Sequence, residues 1–118
     1  YTYARIQSLL RKSNIKENER KSKTYKNIDV DSEERNIIQN ILLFPSIIQE
    51  AAKLYNPAII ANYVYNLVKD YNSYYQNVPI LNIKQEDVRL FRLSLSDMTG
   101  KIITESMRLL GIKVPDQM

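Results

Sequence analysis

Apolar residues recur three or four positions apart along most of this chain, and no stretch alternates with a period of two. The pattern predicts helices. From Tyr3 to Lys12 the apolar stripe is Ile6, Leu9 and Leu10, and no capping residue precedes it, so the helix reads as cut at its start. Residues 13–29, SNIKENERKSKTYKNID, are polar and aperiodic and predict a basic connector. Asp31 or Ser32 then caps a helix with Glu33 and Glu34 in its first turn, where carboxylates suit the positive end of the dipole. Its stripe is Ile37, Ile38, Ile41 and Leu42. Phe44-Pro45-Ser46 interrupts it, because the residue before proline is pushed out of the helical region. Pro45 suits the first turn of a following helix that carries Ile47, Ile48, Ala51, Ala52, Leu54 and Tyr55.

Asn56-Pro57 repeats the start signal and opens a helix to about Asn77, roughly 30 Å long. Its expected buried stripe is Ile60, Val64, Leu67, Tyr71, Tyr74 and Val78, and Pro79 ends it. The last helix spans Gln85 to Leu110, with Val88, Phe91, Leu95, Met98 and Ile102 stepping as a heptad seam. Gly100 lies inside it at a cost of about 1 kcal/mol relative to alanine, which close packing would explain. Gly111 suits a left-handed helix end, with Ile112 turned back onto the last turn and 113–118 as a tail. The expected fold class is all-α, a bundle of about five helices within one domain.

Composition removes chemistries from this scaffold. Cysteine and histidine are both absent, which excludes disulfides, thiolate and imidazole catalysis and Cys/His metal sites. The only glycines are Gly100 and Gly111, so no glycine-rich phosphate loop exists. No apolar run reaches the roughly 18 residues of a membrane span, and no stretch reads as a signal peptide. Asp87 and Asp97 share a helix, but a catalytic carboxylate pair needs burial that sequence does not show. A chain that opens on Tyr1 reads as a piece of a longer protein, and a binding module is the better expectation than a self-contained enzyme.

Charge and tyrosines bear on what is bound. Residues 1–26 hold eight basic and two acidic side chains, whereas 27–118 hold nine basic and eleven acidic ones. Such a local basic patch either attracts polyanions, nucleic acid first, or is a solvated linker. Nine of the eleven aromatic residues are tyrosine. Tyr63, Tyr65, Tyr71, Tyr74 and Tyr75 crowd into one predicted helix with Asn62, Asn66, Asn72 and Asn77 between them. A buried ring adds apolar area, an exposed one is a stacking face for an unpaired base, and asparagine reads base edges. Tyr71 and Tyr74 fall on the apolar stripe; Tyr75 lies about 100° away and is the better candidate for a wet face.

Three stretches carry a resemblance. YTYARIQSLLRKS, LYNPAIIANYVYNLVKDYNSYYQNVPIL and VRLFRLSLSDMTGKIITESMRLLGIKVPDQM are similar, in that order, to the C-terminal anticodon-binding domain of arginyl-tRNA synthetases, named for a DALR motif. The matching details are Tyr3-Ala4-Arg5-Ile6, Asn72-Ser73-Tyr74-Tyr75, and Leu109-Leu110-Gly111-Ile112 followed by Pro115-Asp116-Gln117-Met118. Two departures stand out: Tyr3 where the family carries His, and Gln117 where Arg is common.

The resemblance implies a domain that grips the anticodon stem and loop of arginine tRNA. It also implies a separate upstream catalytic domain that attaches arginine with ATP and magnesium, with no cofactor in this segment. A cytoplasmic location, no membrane partner and a monomeric default state go with it. By position it places Arg5 against phosphate or a base, Tyr75 beneath an anticodon-loop base, and Met118 with its terminal carboxylate at a loop base. Asn72 is a neighbouring candidate, and Lys16, Lys21 and Lys23 of the connector are candidate electrostatic contacts to RNA. The competing expectations are a helical protein-interaction module and the anticodon domain of a related class I synthetase.

Overall fold

The computed structural model describes residues 2–13, 30–83 and 85–111. Five helices run through them: α1 Thr2–Ser13, α2 Ser32–Leu42, α3 Phe44–Leu54, α4 Ala58–Asn77 and α5 Glu86–Leu109. No strand occurs among the described residues, so the all-α expectation holds. Most of connector 13–29, the return of Ile112 and the tail to Met118 lie outside the described residues.

Local sequence explains most boundaries. Asp31 caps α2 through its side chain, which accepts from the Glu33 N–H at 2.9 Å. The Glu34 carboxylate reaches back to the Asp31 N–H at 2.9 Å, completing a capping box. Leu43 alone separates α2 from α3, and Pro45 occupies the first turn of α3. Asn56 Oδ1 accepts from the Ala58 N–H at 3.1 Å, so the expected cap acts although the helix begins one residue later than expected. Gly111 adopts φ 79° at the end of α5. Tyr55 closes α3 in the same left-handed region, φ 52°, with the Asn56 N–H donating to the Ala51 carbonyl at 3.0 Å.

α4 is the central element. It packs against α2, α3 and α5, while α1 lies mainly along α5. All six residues expected on its apolar stripe are buried: Ile60, Val64, Leu67, Tyr71, Tyr74 and Val78. All but Ile60 close the core with Ile6, Leu9, Ile37, Leu93 and Ile103. Each fully buried large apolar side chain contributes roughly 1.5–3 kcal/mol.

Two expectations need correction. The seam of α5 is not Val88, Phe91, Leu95, Met98 and Ile102; Met98 is 47% exposed and only Leu95 of the five is buried. The buried face instead holds Leu90, Leu93, Ser96, Thr99, Gly100, Ile103 and Ser106. Ser96 and Thr99 are tolerated there because their hydroxyls bond back to their own helix: Ser96 Oγ donates to the Arg92 carbonyl at 2.9 Å and Thr99 Oγ1 to the Leu95 carbonyl at 2.8 Å, whereas Ser106 Oγ is buried with no hydrogen-bond partner among the described residues. The second correction concerns α2 and α3. Leu42, Leu54 and Tyr55, expected on apolar stripes, are exposed, and Ala51 is the one buried residue of α3. α3 covers the outer side of α4 rather than entering the core.

Candidate nucleic-acid interface

One end of α4 brings three of the expected site residues together. Asn72 and Tyr75 are three positions apart and so share a helical face. α1 crosses that face and supplies Arg5. The Arg5 guanidinium carbon lies 4.5 Å from the centroid of the Tyr75 ring, a cation–π stack. Arg5 Nη1 donates to Asn72 Oδ1 at 3.4 Å, and Thr2 Oγ1 donates to the same oxygen at 3.2 Å. With Oδ1 occupied, the amide nitrogen is the half of the Asn72 side chain available as a donor.

The neighbouring tyrosines have different fates. Tyr71 is fully buried behind Tyr75, ring centroids 6.4 Å apart, and its hydroxyl donates to Ser96 Oγ at 2.8 Å. Burial pushes the Tyr71 phenol up to about 12, and the Ser96 bond pulls the other way. The Tyr74 hydroxyl donates to Glu34 Oε2 at 2.9 Å. Burial first, and then the adjacent Glu34 carboxylate, push its pKa well up. Tyr63 stacks on Phe44, and its hydroxyl donates to the Asn40 carbonyl at 2.6 Å; burial pushes it up to about 12. These three are core residues. Tyr75 keeps 37% of its surface and Tyr65 keeps 68%.

Tyr75 also forms one wall of a groove of about 240 Å³. Leu9 and the segment 78–82 line the rest, and Asn82 is the amide on its rim. The volume is below the roughly 300–1,000 Å³ of drug-sized pockets and suits a single flat ring system. Leu9 and Asn82 were not among the residues singled out in the sequence. Leu9 was read as core, and the 80–85 connection carries no periodic signal that would mark Asn82.

The opposite flank of α4 has the other sign. Glu33, Asn36, Asp70 and Ser73 line a small cleft there, and Glu33 Oε1 accepts from Ser73 Oγ at 3.2 Å. Polyanions are disfavoured on that side. Among the described residues no three Asp or Glu side chains gather as a metal site would require. Asp97 pairs instead with Lys101 at 3.4 Å. No helix of the described residues is long and apolar enough to cross a membrane. Lys16, Lys21, Lys23 and Met118 lie outside the described residues.

The fold is thus an all-helical bundle whose cationic, aromatic and amide side chains meet at one corner. The chain belongs to the DALR anticodon binding domain family, which it matches over residues 1–118. It is similar to arginine–tRNA ligases of Flavobacterium psychrophilum, 44% identical, and Bacteroides fragilis, 43% identical, over the whole of this chain in both cases. It spans about a fifth of the length of these curated relatives, 19% and 20%. The structure of Thermus thermophilus arginyl-tRNA synthetase superposes with a TM-score of 0.87 at 28% identity, covering all of this chain and 20% of that one.

Proposed function

We propose that residues 1–118 are the C-terminal, tRNA-binding domain of an arginine–tRNA ligase. The domain holds the anticodon stem and loop of arginine tRNA. A catalytic domain elsewhere in the same protein, acting in the cytoplasm with ATP and magnesium, joins arginine to that tRNA, and this segment contributes no catalytic residue. The ligase works as a monomer.

The observation that carries this reading is the corner formed by Arg5, Asn72 and Tyr75 beside the groove. A loop base enters the groove and stacks on Tyr75, with Asn82 as donor and acceptor at the rim and the Asn72 amide one helical turn from Tyr75 as a further donor. Arg5 does two jobs: it fixes the Tyr75 ring from one side, and its guanidinium presents charge to the loop phosphates. Met118 approaches the same loop from the chain terminus. Lys16, Lys21 and Lys23 supply sequence-independent attraction to the stem.

The test is binding of RNA hairpins by the full-length ligase that contains this chain. Arginine-decoding anticodon hairpins bind more tightly than hairpins of scrambled loop sequence, and neutralising Lys16, Lys21 and Lys23 flattens the salt dependence for all of them. Equal affinity for cognate and scrambled loops contradicts the reading.

A further inference from the structure

The groove beside Tyr75 has one wall without helical structure, the segment 78–82 between α4 and α5, and the structure shows what holds it. Val78 and Ile80 are buried, and Pro79 between them is exposed. The Pro79 carbonyl accepts from Arg92 Nη1 at 2.6 Å. Arg92 comes from α5, and its Nε donates to Glu34 Oε2 at 3.2 Å. The Glu34 side chain is 1% exposed and that of Arg92 12%, so this is a buried ion pair. Glu34 is fixed in turn: one carboxylate oxygen accepts from the Asp31 N–H and the other also accepts from the Tyr74 hydroxyl. The second buried tyrosine leads to the same residue, because Tyr71 donates to Ser96, which donates to the Arg92 carbonyl.

We propose that Glu34 and Arg92 are positioning residues for anticodon recognition, a clamp that holds segment 78–82 at a fixed distance from Tyr75. The inference rests on the reading of the groove as a base site. Neither residue touches RNA. Arg92 is suited to the task because its planar fork places two donors at a fixed separation, one on the carboxylate and one on the carbonyl. A lysine keeps the charge and offers a single nitrogen on a flexible stem. The buried carboxylate exists to orient that fork: a lone Glu34 would be costly to bury, and the capping box alone does not need α5. Both ends of the clamp are anchored by α4 tyrosines on either side of Asn72, so the wall and the Tyr75 platform share one support.

The experiment compares the full-length ligase with its Arg92→Lys and Glu34→Gln variants. Two measurements are made: the affinity ratio for arginine-decoding over scrambled hairpins, and amide hydrogen exchange at residues 80–82. Arg92→Lys lowers the ratio on the order of tenfold, the loss one charge-assisted hydrogen bond carries. It speeds exchange at 80–82 while the core amides of α4 stay protected, and it leaves the salt slope unchanged. Glu34→Gln, which keeps an acceptor for Arg92, gives a smaller change in the same direction and serves where Arg92→Lys unfolds the domain. A wild-type protein that discriminates, together with variants that discriminate equally well or show unchanged exchange at 80–82, overturns the clamp and leaves the base site standing. A wild-type protein that does not discriminate overturns the base site itself.

Discussion

Adjacent positions on α4 give their phenol rings opposite fates. Tyr74 and Tyr75 point about 100° apart, and that rotation sends one ring to the core and the other to the groove. The sequence made this distinction legible, since Tyr74 continues the apolar stripe and Tyr75 leaves it. The company Tyr75 keeps was not legible. Arg5 lies 70 positions earlier in the chain and stacks on its ring, which only the docking of α1 reveals. Tyr75 is therefore half of a composite platform rather than a bare ring. Tyr75→Ala weakens binding of a cognate hairpin by about 1–3 kcal/mol and leaves the slope of affinity against salt unchanged, because a stacking face is lost and no charge is removed. Titration of labelled hairpin at several salt concentrations checks both parts. An altered slope with unaltered affinity at low salt would show that the ring serves only to hold Arg5.

At the level of whole elements, α1, α2 and α4 were readable from stripes and caps, and α5 was readable as a helix but not by its face. Counting apolar residues selected Met98 and Ile102, whereas the buried side is rich in Ser96, Thr99, Gly100 and Ser106. Small residues win because they let α1 approach closely. A Cβ at Gly100 would meet Ile6 Cγ2 at 3.3 Å and the Tyr3 ring at 3.7 Å. Tyr3 thus packs against α5 at Gly100. Ile6 is fully buried, and a methyl on its branched β-carbon cannot swing aside without moving the helix. Gly100→Leu therefore pushes α1 off α5, costs on the order of 1–3 kcal/mol, and loosens Arg5 from Tyr75. Chemical denaturation measures the first effect. Hairpin affinity measures the second, and it falls even under conditions where the variant is fully folded. Full affinity in a destabilised variant would separate the seating of α1 from recognition.

For the molecule as a whole, the fold class follows from patterns along the chain, while the meeting of Arg5 with Asn72 and Tyr75 and the wall of the groove do not. Residues 78–82 have no periodicity, and the Glu34–Arg92 pair joins α2 to α5 across 58 positions, a separation no local pattern encodes. The same buried tyrosines that support the site set the alkaline limit of the fold. The Tyr63 and Tyr71 phenols are raised from 10 to about 12 and Tyr74 is raised further, so the unfolded chain releases these protons first. Their contribution is complete below pH 10 and is lost as pH climbs through about 12. Denaturation midpoints at stepped pH values decline steeply in that window; a flat profile would mean the phenols are not buried as described. The most direct measurement on the central claim is photocrosslinking of a full-length ligase to arginine tRNA that carries a photoreactive pyrimidine in the anticodon loop, followed by mapping of the adduct. Adducts in residues 5–9, 72–75 or 78–82 are the expected result, and adducts confined to α2 and α3, with none at the Tyr75 groove, would contradict it.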